Sequence, residues 1–282
     1  MREVFSYHTV FSQGFAILTF LFGSIVGSFL NVCIYRIPRK KSLVWPPSAC
    51  PSCGHMIKWY ENIPVLSWVF LRGRCSTCRS PISVQYPLVE LTTGFLFFLS
   101  YLKWGLSYDL PFVLCYLALL IVISGIDITH QIVPHTLTIP GVLCGLAYNW
   151  ISPERSILLS FAGFCLGAGI LLIAIIVFFL VTKKIGMGGG DVMLFGMIGS
   201  YLGPSSLAPV LFIASLGGIS FFLIMRLSGR RRIAETITKD DIRGDEEDLE
   251  RVIYFGPFLA LGGAIMLFAD NNLFIQWVLG WL

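Results

Sequence analysis

Charge is what this sequence has least of: Asp, Glu, Lys and Arg together make up 13% of its 282 residues, where a soluble domain carries about 25%. That scarcity, with 56% hydrophobic residues, excludes an ordinary soluble domain. Histidine is also sparse, with four in the chain and no H-E-x-x-H, so the paired-histidine helix of zinc metallopeptidases is excluded. There is no internal repeat, no low-complexity segment and no compact Gly-rich nucleotide motif. The first apolar run has neither a basic n-region nor an A-x-A-like cleavage site, so it reads as a retained anchor rather than a removed signal.

What is present is apolar residues in long runs, the pattern of membrane spans rather than of a helix with one wet face. The runs are 14–34, 86–103, 110–126, 135–151, 157–181, 192–203, 206–225 and 253–281, the sixth being short. They predict an all-α polytopic membrane protein of about eight transmembrane helices. With the N-terminus outside, the inward segments are 35–85, 127–134, 182–191 and 226–252, and these hold 17 of the 20 Lys and Arg residues. Only Arg2, Lys103 and Arg155 fall on the other side, which is the positive-inside asymmetry. The formal charge of +4 therefore reports orientation in a bacterial-type inner membrane, not affinity for nucleic acid. The chain divides into a first segment and span (1–34), a cytoplasmic loop (35–85) and a membrane core (86–282). The core includes a second charged stretch, 226–252, with Arg230-Arg231-Arg232 followed by the acid-rich Asp240–Glu250. It reads as a solvated, partly helical connector whose basic run contacts anionic lipid heads.

Half of the eight cysteines lie in the first loop, as Cys50-Pro-Ser-Cys53 and, after 21 residues, Cys75-Ser-Thr-Cys78. Two C-x-x-C knuckles at this separation suit four thiolates converging on Zn²⁺. Gly54 eases the first turn, and a loop too small for a core gains folding energy from a metal. Four protein ligands leave no open position, so this zinc is expected to be structural. Disulfides or redox thiols are the alternatives, disfavoured by a reducing cytoplasm. Cys33, Cys115, Cys144 and Cys165 fall in spans and read as small apolar residues.

Carboxylates inside spans are costly and point to function by default. Glu90 and Asp270 lie near enough to span ends to reach an interface, and Asp109 before Pro111 reads as a cap or loop residue. Asp127 and Asp191 stand apart. Asp127 ends the third run in Ser124-Gly-Ile-Asp127, and Pro134 closes the loop that follows. Asp191 follows Gly186-Met-Gly188-Gly189-Gly190, a run that cannot be a stable helix and whose glycines leave the backbone flexible and open to a substrate. The topology puts both at the same depth on the cytoplasmic side. Two carboxylates across one water would share a proton, with one acting as base and the other as acid. Two unrelated helix caps are the plain alternative. A rival function is a metal or ion transporter in which His130 and His135 join Asp127 and Asp191.

Taken together, these residues resemble the type IV prepilin peptidases, the membrane aspartic endopeptidases that process pilins and type II secretion pseudopilins. The resemblance rests on Gly27-Ser-Phe-Leu-Asn-Val-Cys-Ile-Tyr-Arg36-Ile-Pro38, on Cys50 to Cys78 with Trp59–Trp68 and Leu71-Arg-Gly-Arg74, and on Tyr86-Pro-Leu-Val-Glu90-Leu-Thr-Thr-Gly94. It continues through Asp127 with Ile132-Val133-Pro134, Gly188-Gly-Gly190-Asp191, and Phe255-Gly-Pro-Phe-Leu-Ala260. The resemblance implies a peptidase core over 86–282, catalysis by Asp127 and Asp191 with Gly188 and Gly190 in support, and cleavage of a short basic leader between Gly and Phe. It also implies N-methylation of the new terminus from S-adenosylmethionine, at residues the sequence does not identify. Two positions depart from the family pattern: His135 follows Pro134 where Asp or Asn is common, and Met193 replaces a frequent Lys.

Overall fold

Inside a bilayer every backbone N–H and C=O must be satisfied within its own segment, which leaves the helix as the local solution for isolated apolar runs. The computed structural model describes residues 2–152, 155–183, 188–227 and 255–269, and among them helix dominates, with two isolated β-bridges and no strand. The helices are α1 (Arg2–Arg36), α2 (Leu66–Phe70), α3 (Gln85–Trp104), α4 (Asp109–His130), α5 (His135–Ile151), α6 (Ile157–Thr182), α7 (Gly189–Leu202), α8 (Leu207–Leu227) and α9 (Gly256–Phe268). Each of the eight apolar runs thus carries a helix among the described residues. Among the described residues four helical segments, Gly14–Arg36, Asp109–His130, Ile157–Thr182 and Pro204–Ile224, are long and apolar enough to cross a membrane. The clearest is α6, whose 26 residues reach about 39 Å at 1.5 Å each, more than a hydrocarbon core of about 30 Å. Only 11% of its most apolar window is buried in protein, at a mean hydropathy of 3.1, so its outer face is made for lipid. Arg230-Arg231-Arg232, Asp240–Glu250, Gly186, Met187 and Asp270 lie outside the described residues.

Two boundaries differ from the sequence expectation. The apolar run ends before Asp127, but α4 continues through His130 and stops where Gln131 turns left-handed (φ 56°), its amide donating to the Asp127 carbonyl at 2.9 Å. Asp127 therefore lies one turn inside the helix. The glycine run is not wholly non-helical either: Gly188 is the extended N-cap, and α7 starts at Gly189. Amides of a first helical turn have no intrahelical partner in any case, so glycine costs less there than in a helix middle.

The chain divides into two compact units, Met1–Leu158 and Leu159–Leu282. In the first, α1, α3 and α4 meet in an apolar cluster of Leu30, Cys33, Ile34, Val89, Val122 and Ile126. Close approach of α1 to α3 depends on Gly27: a β-carbon there would sit 2.7 Å from the Glu90 Cα. Small residues at helix contacts are how membrane helices gain packing energy. The Asn31 amide adds a polar tie, donating to the Tyr86 carbonyl at 3.1 Å. Asp109 opens α4 and accepts a hydrogen bond from the Ser152 hydroxyl at 3.3 Å, in keeping with its reading as an edge residue.

In the second unit, Gly163 of α6 and Gly199 of α7 face each other so closely that a β-carbon on either would strike the other's carbonyl. Nearly every residue of α7 from Val192 to Tyr201 is buried. A helix of 14 residues spans about 21 Å, too short to cross alone, but α7 is sheathed by protein rather than lipid. In the same unit, Gly262 of α9 packs against the Val210 carbonyl of α8.

Candidate functional sites

The four loop cysteines come together. Their Sγ atoms all lie within 4.8 Å of one another, with Cys50–Cys78 at 3.8 Å and Cys53–Cys75 at 4.0 Å. Sulfurs about 2.3 Å from a tetrahedral ion sit about 3.8 Å apart, and all four thiols are free. Among the described residues this is the one cluster of His, Cys, Asp or Glu able to hold a metal.

The two knuckles are built alike, 25 residues apart. The Cys50 amide donates to the His55 carbonyl and the Gly54 amide to the Cys50 carbonyl, both at 2.9 Å. In the second knuckle the Cys75 amide donates to the Ser80 carbonyl at 2.9 Å and the Arg79 amide to the Cys75 carbonyl at 3.1 Å. Single β-bridges, Ala49 to Met56 and Arg74 to Pro81, close them at equivalent places. The residue after the second cysteine is left-handed in both, Gly54 at φ 71° and Arg79 at φ 60°. Sequence reading finds Gly54 and misses Arg79, because arginine carries no turn signal.

Thiol chemistry fits a cation at the centre. The Ser80 hydroxyl, 3.6 Å from Cys50 and 3.1 Å from Cys78, brings the Cys50 thiol down to about 6, helped by the Cys53 and Ser52 amides. The same hydroxyl, with the Ser80 amide, also lowers Cys78. Cys53 goes the other way: the His55 amide opposes the shift, but desolvation and the thiols of Cys78, Cys50 and Cys75 push it up to about 12. Several sulfurs this close cannot all ionise without a positive charge among them. A divalent ion held by the four sulfurs would supply it.

Glu61 braces the loop between the knuckles. One of its carboxylate oxygens accepts from the Lys58 amide at 3.0 Å and lies 3.1 Å from His55 Nε2. The Lys58 amide, then the Ser76 hydroxyl and His55, hold this carboxyl down at about 2. A depressed acid contributes stability that is complete above its ordinary value, about 4.5, and is lost as pH falls through about 2. Glu61→Gln is therefore expected to lower the melting temperature at pH 7, with a difference from wild type that narrows as pH falls below about 4.5 and closes only near pH 2, as thermal melts across that range will show.

Glu90 does more than reach an interface. Buried where α1 meets α3, it accepts a hydrogen bond from the Val65 amide at 2.7 Å. Val65 takes φ 62°, rare for a β-branched residue, so the chain turns sharply to deliver that amide. The bond ties the loop to α3, and no sequence pattern marks a contact of this range.

Asp127 lies in the first unit and Asp191 in the second. Asp127 is buried, next to Ile126 of the α1–α3–α4 cluster. Asp191 is half-buried in the first turn of α7, its amide donating to the Gly188 carbonyl at 3.2 Å. An acid in a first turn is favoured by the helix dipole. A β-carbon at Gly188 or Gly189 would meet no described residue within 4 Å, so the described residues leave the approach to that turn open. His130 ends α4, with Nδ1 2.7 Å from the Thr129 hydroxyl, and His135 opens α5.

These features define a polytopic helical membrane protein with a four-thiol metal-type cluster in a loop and acids at helix ends. Residues 21–104 match the bacterial peptidase A24 N-terminal domain, and residues 114–223 match the type IV leader peptidase family. A Myxococcus xanthus protein named prepilin leader peptidase/N-methyltransferase is 40% identical over 240 residues, covering 85% of this chain and 72% of that one. Proteins of the same name from Neisseria gonorrhoeae and Legionella pneumophila are 32% and 34% identical over 290 residues each. Those alignments cover 92% and 93% of this chain and 93% of each relative. No solved structure matches. The chain belongs to the type IV leader peptidase family.

Proposed function

We propose that this protein is a prepilin leader peptidase and N-methyltransferase of the bacterial inner membrane, acting on type IV prepilins and type II secretion pseudopilins at the cytoplasmic face. What carries the reading is that both halves of the chain match the family, and that relatives aligned over most of their length bear that double name. Asp127 and Asp191 are the catalytic pair, with Gly188 and Gly190 keeping the approach to Asp191 clear. The ionised aspartate takes a proton from water as its oxygen attacks the scissile carbonyl carbon. The protonated one donates to the carbonyl oxygen. When the C–N bond breaks, the leaving nitrogen receives a proton and departs as the amine of the mature pilin, while the leader keeps the new carboxylate. S-adenosylmethionine would supply the methyl group for that amine. Zn²⁺ on Cys50, Cys53, Cys75 and Cys78 is structural, its four positions filled by protein.

Purified protein in detergent, given a full-length prepilin, is expected to shorten it by its leader. Labelled S-adenosylmethionine then reports methyl transfer to the product. Absence of leader removal overturns the peptidase reading, and cleavage without transfer leaves a peptidase alone.

A further inference from the structure

The loop between the knuckles carries a second feature, independent of peptide cleavage. Arg72, Arg74 and Arg79 line an open cavity of about 370 Å³ with Phe70 and Leu71. Among the described residues none of the three guanidinium groups has a hydrogen-bond, ion-pair or ring partner. The only acid between residues 35 and 85 is Glu61, already held by Lys58 and His55. Arg79 also occupies the left-handed position that its matched knuckle gives to Gly54. A side chain strains the backbone there, so the second knuckle keeps an arginine where glycine would fold more easily.

Position decides what the cavity faces. The Gly73 carbonyl accepts from the Ile82 amide at 2.7 Å, and the Trp68 indole donates to the Ile82 carbonyl at 3.2 Å. Ile82 lies three residues before α3 begins, and the Val65 amide reaches Glu90 inside α3. The short helix α2 is thereby held at the level of the first turns of α3, which carries the second apolar run. Leu66, Val69 and Phe70 of α2 are 54%, 57% and 81% exposed. Apolar side chains beside clustered arginines at the end of a span match the boundary between acyl chains and phosphate heads.

We propose that Arg72, Arg74 and Arg79 form a binding site for the phosphate of an anionic phospholipid, with Leu66, Val69 and Phe70 entering the acyl boundary beside it. Guanidinium forks suit phosphate oxygens, and a soluble anion would gain nothing from the neighbouring apolar side chains.

The test uses full-length protein in a neutral maltoside detergent, titrated with phosphatidylglycerol, phosphatidylcholine or inorganic phosphate, with bound molecules counted by native mass spectrometry. Wild type is expected to retain one phosphatidylglycerol that the Arg72→Gln/Arg74→Gln/Arg79→Gln variant loses, its affinity falling on the order of 100-fold. Unchanged metal content in the variant shows the loop intact. Arg79→Gly removes one cation while relieving the backbone, so retention is expected to fall about fivefold without a drop in melting temperature. A merely structural arginine would not separate the two. The proposal is overturned if the triple variant retains as much phosphatidylglycerol as wild type, or if phosphatidylcholine binds equally well. Displacement of the lipid by equimolar inorganic phosphate overturns the lipid assignment, leaving a site for soluble oxyanions.

Discussion

Asp127→Asn and Asp191→Asn are each expected to slow leader removal by roughly 10²–10⁴-fold, the usual weight of a positioned acid or base. Asparagine keeps the shape of aspartate and removes its ability to take or release a proton. At Asp127 the amide enters a buried place in α4, where a neutral group costs no more than a carboxyl, so melting temperature is expected to stay within a few degrees. At Asp191 the half-buried first turn of α7 tolerates the amide as readily. The double variant is the sharper measurement. Groups that act as one unit are not additive, so losing both should cost little more than losing either. Near-normal cleavage by one single variant defeats the two-aspartate mechanism. Losses that multiply in the double variant would mean two independent supporting roles instead.

Cys50→Ser is expected to abolish metal retention and to open the loop to protease. Structural zinc in small peptides is worth about 10–16 kcal/mol at neutral pH, far more than a loop of this size can recover from apolar burial. Serine cannot supply a thiolate, and three sulfurs would remain around an ion that wants four. Elemental analysis of protein purified without added metal decides it, with Cys33→Ser as control, since Cys33 belongs to the apolar cluster of α1. Metal content unchanged by Cys50→Ser would remove the four-thiolate site.

Much of this architecture is written in the composition of local stretches. The apolar run 135–151 coincides with α5 (His135–Ile151), and 157–181 lies within one residue of α6. Where helix and apolarity part company, the sequence misleads. Ile128, Thr129 and His130 lie beyond the apolar run but not beyond the backbone hydrogen bonding, which persists until Gln131 turns left-handed. Gly189 and Gly190 read as breakers yet enter α7, because a first turn forgives them. The cysteine cluster is legible because two matched spacings leave few other arrangements. Its supports are not: Ser80 contributes a hydroxyl common to hundreds of surfaces, and Glu90 finds its donor at Val65, 25 residues away. The roles proposed for Asp127 and Asp191 rest on resemblance, since a lone carboxylate at a helix end is as often a cap as a catalyst.

The bond from Val65 to Glu90 has a mechanical side. It fastens the four-cysteine loop to a carboxylate enclosed by α1 and α3, where Gly27 already leaves no slack. If chelation loosens the loop, that buried carboxylate forfeits the Val65 amide and keeps only the Ser28 hydroxyl, and a buried acid short of donors is costly. The α1–α3 contact then has to give, and amide exchange along residues 89–94 is expected to quicken when metal is stripped. Unchanged exchange there would mean that the loop and the helices respond separately. A metal held by the four cysteines would thereby be coupled to the α1–α3 contact, with the Val65–Glu90 hydrogen bond acting as a lever.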